Sequence, residues 1–433
     1  GSKVYRTAKS YFRSNLKSII EKAQKAGAKV LVSNLVSNEN GMEPFTWSFH
    51  EQTSEMDQNK WRQLYENGFS LETKKAYSKA ITCYREAEKI DAFPAILHFR
   101  IGKCLEAMGE YAEARKAYIC ARDYDMLRFR ASSEFSQIIR DVSQECNTAF
   151  INMDSVFVSH SEHGIIGNDL ISEHLHPNFK GYFLMAKHMT QAITEHNLIE
   201  PVGTWRWDLE KSDAEYIALS AVTEFDEMLA RYSLSLLTRG WPFRKPLTLD
   251  ISKLSKDEKI ILEMAKRIHR NPETWRIARH QLAEYFFNRN EYHRAKAEYR
   301  AISKLAPLWD DLAFVKLGDI ALIEEDFDLA QMWYTSALQI NGALAEVRAK
   351  LGILYLIQNN YERSRSLLEQ SLWLVQQGIK FVNISELEAR YFLSFCCLKL
   401  GDLSAARNQI EKVLKKQPNH SKALSLLSEI NLN

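Results

Sequence analysis

The residues whose types and spacing could do chemistry are crowded into one loop. Between 160 and 178 the chain carries His160, His163, Asp169, Glu173, His174 and His176, with Pro177 and Asn178 following. Glu173 and His176 stand three apart on a turn expected to enter a helix. That spacing lets the carboxylate accept a hydrogen bond from the Nδ1–H of the imidazole. The tautomer is then fixed, and Nε2 is left free to take a proton from a hydroxyl. Glu173 and His176 would so supply two members of a Ser-His-acid triad. The same residues can equally cap the following helix and solvate a loop. A third chemistry is zinc ligation by His174 and His176 with His160 and His163 nearby. No cysteine lies close, and Pro177 suits a rigid loop more than a metal clip, so neither a metal nor a cofactor is expected.

Several elements must position that loop. Residues 4–25 have an amphipathic helical pattern with Phe12, Leu16, Ile19 and Ile20 on one face, and Gly27 closes it. KVLVSNLV (29–36) reads as a buried parallel strand, and TAFINMDSVF (148–157) as a second. A helix is expected over 131–145 and another over 180–195. Helix, glycine and strand form half of a βαβ unit. A further helix is expected near 211–238, ended by the prolines of RGWPFRKP, Pro242 and Pro246.

The rest of the chain repeats. Ala295, Ala330, Ser364 and Ala406 are small residues spaced by 35, 34 and 42 positions. Twelve positions before each stands another small residue: Ala283, Gly318, Gly352 and Ser394. Four after stands a large one: Tyr299, Tyr334, Leu368 and Ile410. The long spacing is absorbed by LVQQGIKFVN (374–383) as a longer helix or loop, and a last helix over 420–431 would cap the array. Gly102, Ala114, Tyr118 and Ala121 repeat the register earlier, and residues 58–70 and 75–93 supply the preceding pair. Small residues where helices cross and large ones between them, at about 34 residues per unit, resemble tetratricopeptide repeats. The first helices should line a groove with His280, Glu284, Lys316, Asp319, Lys350, Tyr391 and Phe395. Lys316 and Lys350 are present without the asparagines that a peptide-carboxylate clamp needs. The expected partner is therefore a helix, an extended peptide or another part of the chain.

Longer segments carry a second resemblance. DMLRFRAS (125–132), HGIIGNDL (163–170) and EHLHPNFKGYFLMA (173–186) are similar to the last block of the SGNH (GDSL) hydrolases, in the bacterial branch that carries tetratricopeptide repeats. VSNLVSN…EPF (32–45) and TEFDEMLARYSLSLLTRGWPF (223–243) resemble segments flanking that domain. The resemblance implies His176 as general base and Glu173, in place of the usual Asp, as the acid that orients it. It also implies an ester substrate for a full-length parent. The Gly-Asp-Ser nucleophile motif and the oxyanion-hole blocks of that family do not occur in this sequence. Gly1-Ser2 looks like a cloning scar, and the missing blocks are expected upstream; the resemblance also implies an N-terminal anchor there and a parent that faces outside the cytoplasm. The chain alone is expected to be inactive. The alternative is a non-enzymatic interaction scaffold on a degenerate hydrolase-like platform.

Composition narrows the classes. The 57 basic and 55 acidic residues give a net charge of +2, without the basic excess of a nucleic-acid binder. No run of 18 apolar residues is present to span a membrane. The six cysteines are expected to be buried free thiols. The fold expected is mainly α: a tetratricopeptide-type solenoid plus a partial α/β domain with parallel strands, SGNH-like by the resemblance. The α/β domain would take 3–55 and 126–200, interrupted by two repeats at 56–125. A helical connector over 201–271 would lead to the solenoid at 272–433.

Overall fold

The computed structural model describes residues 2–243, 246–381 and 384–432. It falls into two units, residues 1–211 with 233–249, and residues 212–232 with 250–433.

The first unit begins with α1 (Lys3–Lys25) and β1 (Leu31–Ser33). Four helices follow, α2 (Glu55–Thr73), α3 (Tyr77–Ile90), α4 (Ala95–Ala107) and α5 (Tyr111–Asp123), in two antiparallel pairs. Then come α6 (Ser133–Glu145), β2 (Ala149–Ile151), α7 (Met153–His160) and α8 (Phe179–Glu195). β1 and β2 pair in parallel, Leu31 with Ala149 and Ser33 with Ile151. The repeats are thus inserted into the crossover between two neighbouring strands. α1 packs on α6 through Phe12 and Phe135, edge to face at 5.0 Å, flanked by ion pairs from Lys9 and Arg13.

Both strands are shorter than the sequence pattern suggests. Asn152 stops the second, because its side chain caps α7 by accepting the Ser155 N–H, so MDSVF is helical. On α1, Ile20 is buried but Ile19 is exposed. Among the described residues the sheet has these two strands only, and the chain as a whole is mainly helical.

The second unit holds α9 (Asp213–Ser220), the first part of α10 (Glu224–Leu237), and α11 (Lys256–Arg270). The single helix expected over 211–238 is broken at Ala221, which has φ +63°. Thr223 then opens α10, where its N–H and hydroxyl both donate to Asp226. Four helix pairs follow: α12 (Trp275–Phe287) with α13 (Tyr292–Leu305), and α14 (Asp311–Ile323) with α15 (Phe327–Ile340). The third pair is α16 (Ala345–Ile357) with α17 (Tyr361–Gln376), and the fourth α18 (Glu386–Lys399) with α19 (Leu403–Lys416). α20 (Ser421–Leu432) covers the last pair. The expected insertion is partly helix, since α17 runs to Gln376, and partly loop after Gly378; Val382 and Asn383 lie outside the described residues.

One contact recurs in every pair. The small residue of the first helix meets the large residue sixteen positions on. An added Cβ would stand 2.6 Å from the Tyr84 ring at Gly68, 2.7 Å from Tyr118 at Gly102 and 2.4 Å from Tyr334 at Gly318. Seven positions after the small residue the chain turns in the left-handed region: at Lys75, Gly109, Asn290, Glu325, Asn359 and Gly401. Only three of the six cysteines, Cys104, Cys396 and Cys397, are buried; Cys120, on α5, is exposed, so the expectation of buried thiols fails there. No helix among the described residues is long and apolar enough to cross a membrane.

Gly318→Ala must displace a fully buried tyrosine ring and should cost about 1–3 kcal/mol, read as a lower urea midpoint. Gly342→Ala, whose added Cβ meets nothing closer than 3.7 Å, should change stability by less than about 0.5 kcal/mol. Glu325→Gly, which relieves a φ of +60°, should gain up to about 1 kcal/mol.

Candidate functional site

The Glu173–His176 loop is a short hairpin between α7 and α8. Ile171 and Pro177 form an antiparallel bridge, the Ser172 N–H donates to the His176 carbonyl at 2.8 Å, and the Asn178 N–H donates to the Leu170 carbonyl at 2.9 Å. Asn178 caps α8 by accepting the Gly181 N–H. Gly181 must be glycine here, because a Cβ would lie 2.3 Å from the Leu170 carbonyl oxygen.

The hairpin turns Glu173 inward. Its carboxylate accepts the backbone N–H of His174, Leu175 and His176 and the Nδ1–H of His176. Burial pushes this carboxyl up, but the backbone donors of His176 and His174, with the His176 side chain, outweigh it and hold the group below the usual carboxylate range. The His176 side chain is 63% exposed while that of Glu173 is 5% exposed. A buried anion thus holds an imidazole whose other nitrogen faces outward. Such a pair can accept a proton from a hydroxyl or a water brought to Nε2. Among the described residues no hydroxyl bonds that nitrogen.

A polar scaffold lies beneath. The His174 carbonyl accepts the Asn38 N–H at 3.0 Å, and the Ile166 carbonyl accepts the Glu39 N–H at 2.7 Å. Asn38 Nδ2 donates to Asn168 at 2.7 Å. Buried Arg130 donates to the carbonyls of Asn38 and Met42 and pairs with Asp125, which also accepts the Phe45 and Thr46 N–H groups. Burial lowers the Arg130 guanidinium to about 10. Glu39 is gripped by Arg115 of α5, which also holds Asp154 of α7. The structure therefore gathers the segments 32–45, 125–132 and 163–170 around the hairpin. Arg130 and Asn38 lie in those segments and Arg115 in the inserted repeats, and none of the three stands in a motif or period that marks it in the sequence.

The four histidines do not converge. His160 Nδ1 bonds the Val156 carbonyl, His163 stacks on Tyr111 at 3.9 Å, and buried His174 stacks on Phe45 at 3.8 Å. Among the described residues no group of three or more His, Cys, Asp or Glu is placed to hold a metal.

The solenoid groove is a separate site. A cavity of about 430 Å³ is lined from α12, α14, the 343–347 segment and the insertion, with Glu284, Lys316, Asp319, Leu312, Val315 and Ile379 on its walls. Of the seven groove residues read from the sequence, Glu284, Lys316 and Asp319 line it. Lys350 stands behind Asp319, and His280 bonds Asp310 at 2.8 Å. Tyr391 stacks on His420 and Phe395 packs against Lys399, away from the lining. The carboxylates are tied into a ladder. The Tyr299 hydroxyl donates to Glu284, which pairs with Lys316 at 2.5 Å; the Tyr334 hydroxyl donates to Asp319, which pairs with Lys350 at 2.7 Å.

The hairpin should make the chain acid-sensitive in two steps. Burial, then the nearby Arg130 charge, lower His174 from 6.5 to about 4. Its folded pKa is depressed, so stability is full above pH 6.5 and is lost as pH falls toward 4. Glu173 adds stability above its ordinary 4.5 that is lost below it. Urea titrations followed by tryptophan fluorescence at several pH values should show His174→Gln flattening the upper part of this decline. Glu173→Gln should flatten the lower part, with a loss at neutral pH of about 1.5–3 kcal/mol.

The proteins that this chain is similar to are tetratricopeptide-repeat proteins. The family of the Fis1 C-terminal tetratricopeptide repeat matches residues 387–432, which hold most of the last helix pair and α20. No curated protein matches. Among solved structures, YrrB, described as a TPR protein with an unusual peptide-binding site, is 22% identical over 39% of this chain and 81% of its own, with a TM-score of 0.34. PilW, a widely conserved type IV pilus biogenesis factor, is 22% identical over 36% of this chain and 69% of its own, with a TM-score of 0.31. MamA from Desulfovibrio magneticus RS-1 is 18% identical over 46% of this chain and 98% of its own, also with a TM-score of 0.31.

Proposed function

We propose that this chain is a tetratricopeptide scaffold that binds a protein or peptide partner in the groove of its C-terminal solenoid, 272–433. The observation that carries this reading is the open cavity of about 430 Å³ walled by the first helices of successive pairs, a size within the ordinary range of ligand pockets. In this reading residues 3–55 and 126–200 are a platform for the inserted repeats at 56–125, residues 201–271 connect the platform to the solenoid, and the chain itself performs no chemistry. A random peptide library panned against the full chain should yield binders. Their capture should be lost in Val315→Arg, which fills the cavity, and kept in Gly342→Ala. Failure to enrich any binder that Val315→Arg abolishes would sink the scaffold reading.

A second reading is favoured by one observation, the outward-facing imidazole anchored on a buried carboxylate. In a serine ester hydrolase of the SGNH type His176 would be the general base and Glu173 its positioning residue, with nucleophile and oxyanion hole brought to Nε2 by residues outside the loop. A fluorophosphonate probe on the full-length natural protein separates the two. Labelling of a serine, with p-nitrophenyl ester turnover that His176→Ala lowers by about three orders of magnitude or more, supports the hydrolase. An unlabelled protein supports the scaffold.

A further inference from the structure

The groove has an uneven charge. Asp311, Asp319 and Glu346 all line the cavity. Lys350 reaches two of them, Asp319 at 2.7 Å and Glu346 at 3.2 Å. Asp311 accepts from a neutral group, the Asn341 amide, at 2.7 Å. Asp319 and Glu346 thus share the Lys350 ammonium, and Asp311 stands on the same lining against an uncharged amide. Farther along, Glu284 and Lys316 neutralise each other. The remaining lining cation, Lys380, is exposed on the insertion loop, where water screens it.

An exposed apolar turn leads in the chain directly into this acidic lining, at Asp311 and Leu312. Leu305, Leu308 and Trp309 are 62%, 75% and 79% exposed at the end of α13 and in the turn after it. Leu312, three residues on from Trp309, lines the cavity. The Trp309 carbonyl accepts Arg276 Nη1 of α12 at 3.4 Å, which ties the turn to the neighbouring helix. Exposed apolar side chains gathered in this way mark interaction surfaces. Successive first helices at about 9 Å separation make α12 to α16 roughly 20 Å across, the span of about six extended residues.

We infer that the groove takes a short extended peptide with a lysine or arginine side chain reaching the Asp311, Asp319 and Glu346 carboxylates and apolar side chains against Leu308 and Trp309. The inference rests on the groove being the peptide site and adds the chemistry of the occupant. The charge gives selectivity, and the apolar turn gives the area that holds the peptide.

The test uses the full chain and two fluorescein-labelled octapeptides, one alternating leucine with lysine and one alternating leucine with glutamate, read by anisotropy. The lysine peptide is expected to bind at least about tenfold tighter, about 1.4 kcal/mol, with the margin shrinking as salt rises. Asp311→Lys and Glu346→Lys should each reverse the preference, and Trp309→Ala should weaken both peptides. Two positions are reversed separately so that a fold defect in one variant, checked by circular dichroism, leaves the other to decide. If the glutamate peptide binds as well as the lysine peptide and Val315→Arg abolishes both, the charge inference is overturned while the groove remains the peptide site. Lysine-peptide binding that none of the variants changes is surface attraction and overturns the inference. If neither peptide binds, the inference also falls; library binders that Val315→Arg still abolishes then leave the scaffold reading standing, and their absence removes both.

Discussion

Each helix pair in this chain closes around one contact, a large side chain driven into the notch left by a small residue sixteen positions earlier. The notch lets the two helices cross closely, and the ring fills the space so made. In four pairs the large residue is a tyrosine, fully buried at Tyr84, Tyr118, Tyr299 and Tyr334. A buried hydroxyl needs a partner, and each of these finds a carboxylate: Glu72, Glu106, Glu284 and Asp319 respectively. Where the large residue is Leu368 or Ile410 no hydroxyl exists, and the position after the small residue is apolar, Ile353 or Phe395. Packing at the crossing therefore decides where acid is placed along the groove, and the acid in turn recruits Lys316 and Lys350.

The platform in the first unit depends on polar closure more than on apolar mass. Its sheet is two short strands, too small to hold a loop by burial alone. Backbone amides and carbonyls of 38–46 and 166–178 are instead joined through Asp125, Arg130, Asn38 and Glu39. Arg115 reaches from the inserted repeats into the same network through Glu39 and Asp154. The insert is thus fastened to the platform by charge at a second place besides its covalent ends. Burial raises the Glu39 carboxyl and Arg115 opposes that rise, which fits a pair held for geometry rather than for net stability.

Much of this was legible in the sequence, and the reasons differ by element. The repeat register was readable because one steric rule recurs at fixed spacing: Gly102 with Tyr118 and Gly318 with Tyr334 announce themselves without any knowledge of neighbours. The Glu173–His176 contact was readable because three residues of separation in a tight turn leave few geometries. What escaped reading depends on partners distant in sequence or on one local cap. Asn152 converts the tail of an apolar run into α7, and Ala221 breaks a helix that its periodicity favours. The lining of the groove also escaped in part. Tyr391 and Phe395 belong to α18, set apart from the earlier pairs by the insertion, whose Ile379 forms part of the cavity wall instead. Arg130 gave no periodic signal at all, since its role lies in carbonyls 88 and 92 residues upstream.

The tyrosine hydroxyls carry one further consequence. In the inserted pairs the accepting carboxylate stands four positions after the small residue, at Glu72 and Glu106; in the C-terminal pairs it stands one position after, at Glu284 and Asp319, and the fourth position is Phe287 or Leu322. The two arrays thus solve the same buried-hydroxyl problem with different wiring. A repeat duplicated within its own array finds neighbours built to the same plan. One transplanted between arrays keeps its internal tyrosine bond but brings the wrong surface to the next helix, with a lysine rung facing no carboxylate. Similar-looking modules here are not interchangeable parts, and shuffling them would preserve the backbone while erasing the groove.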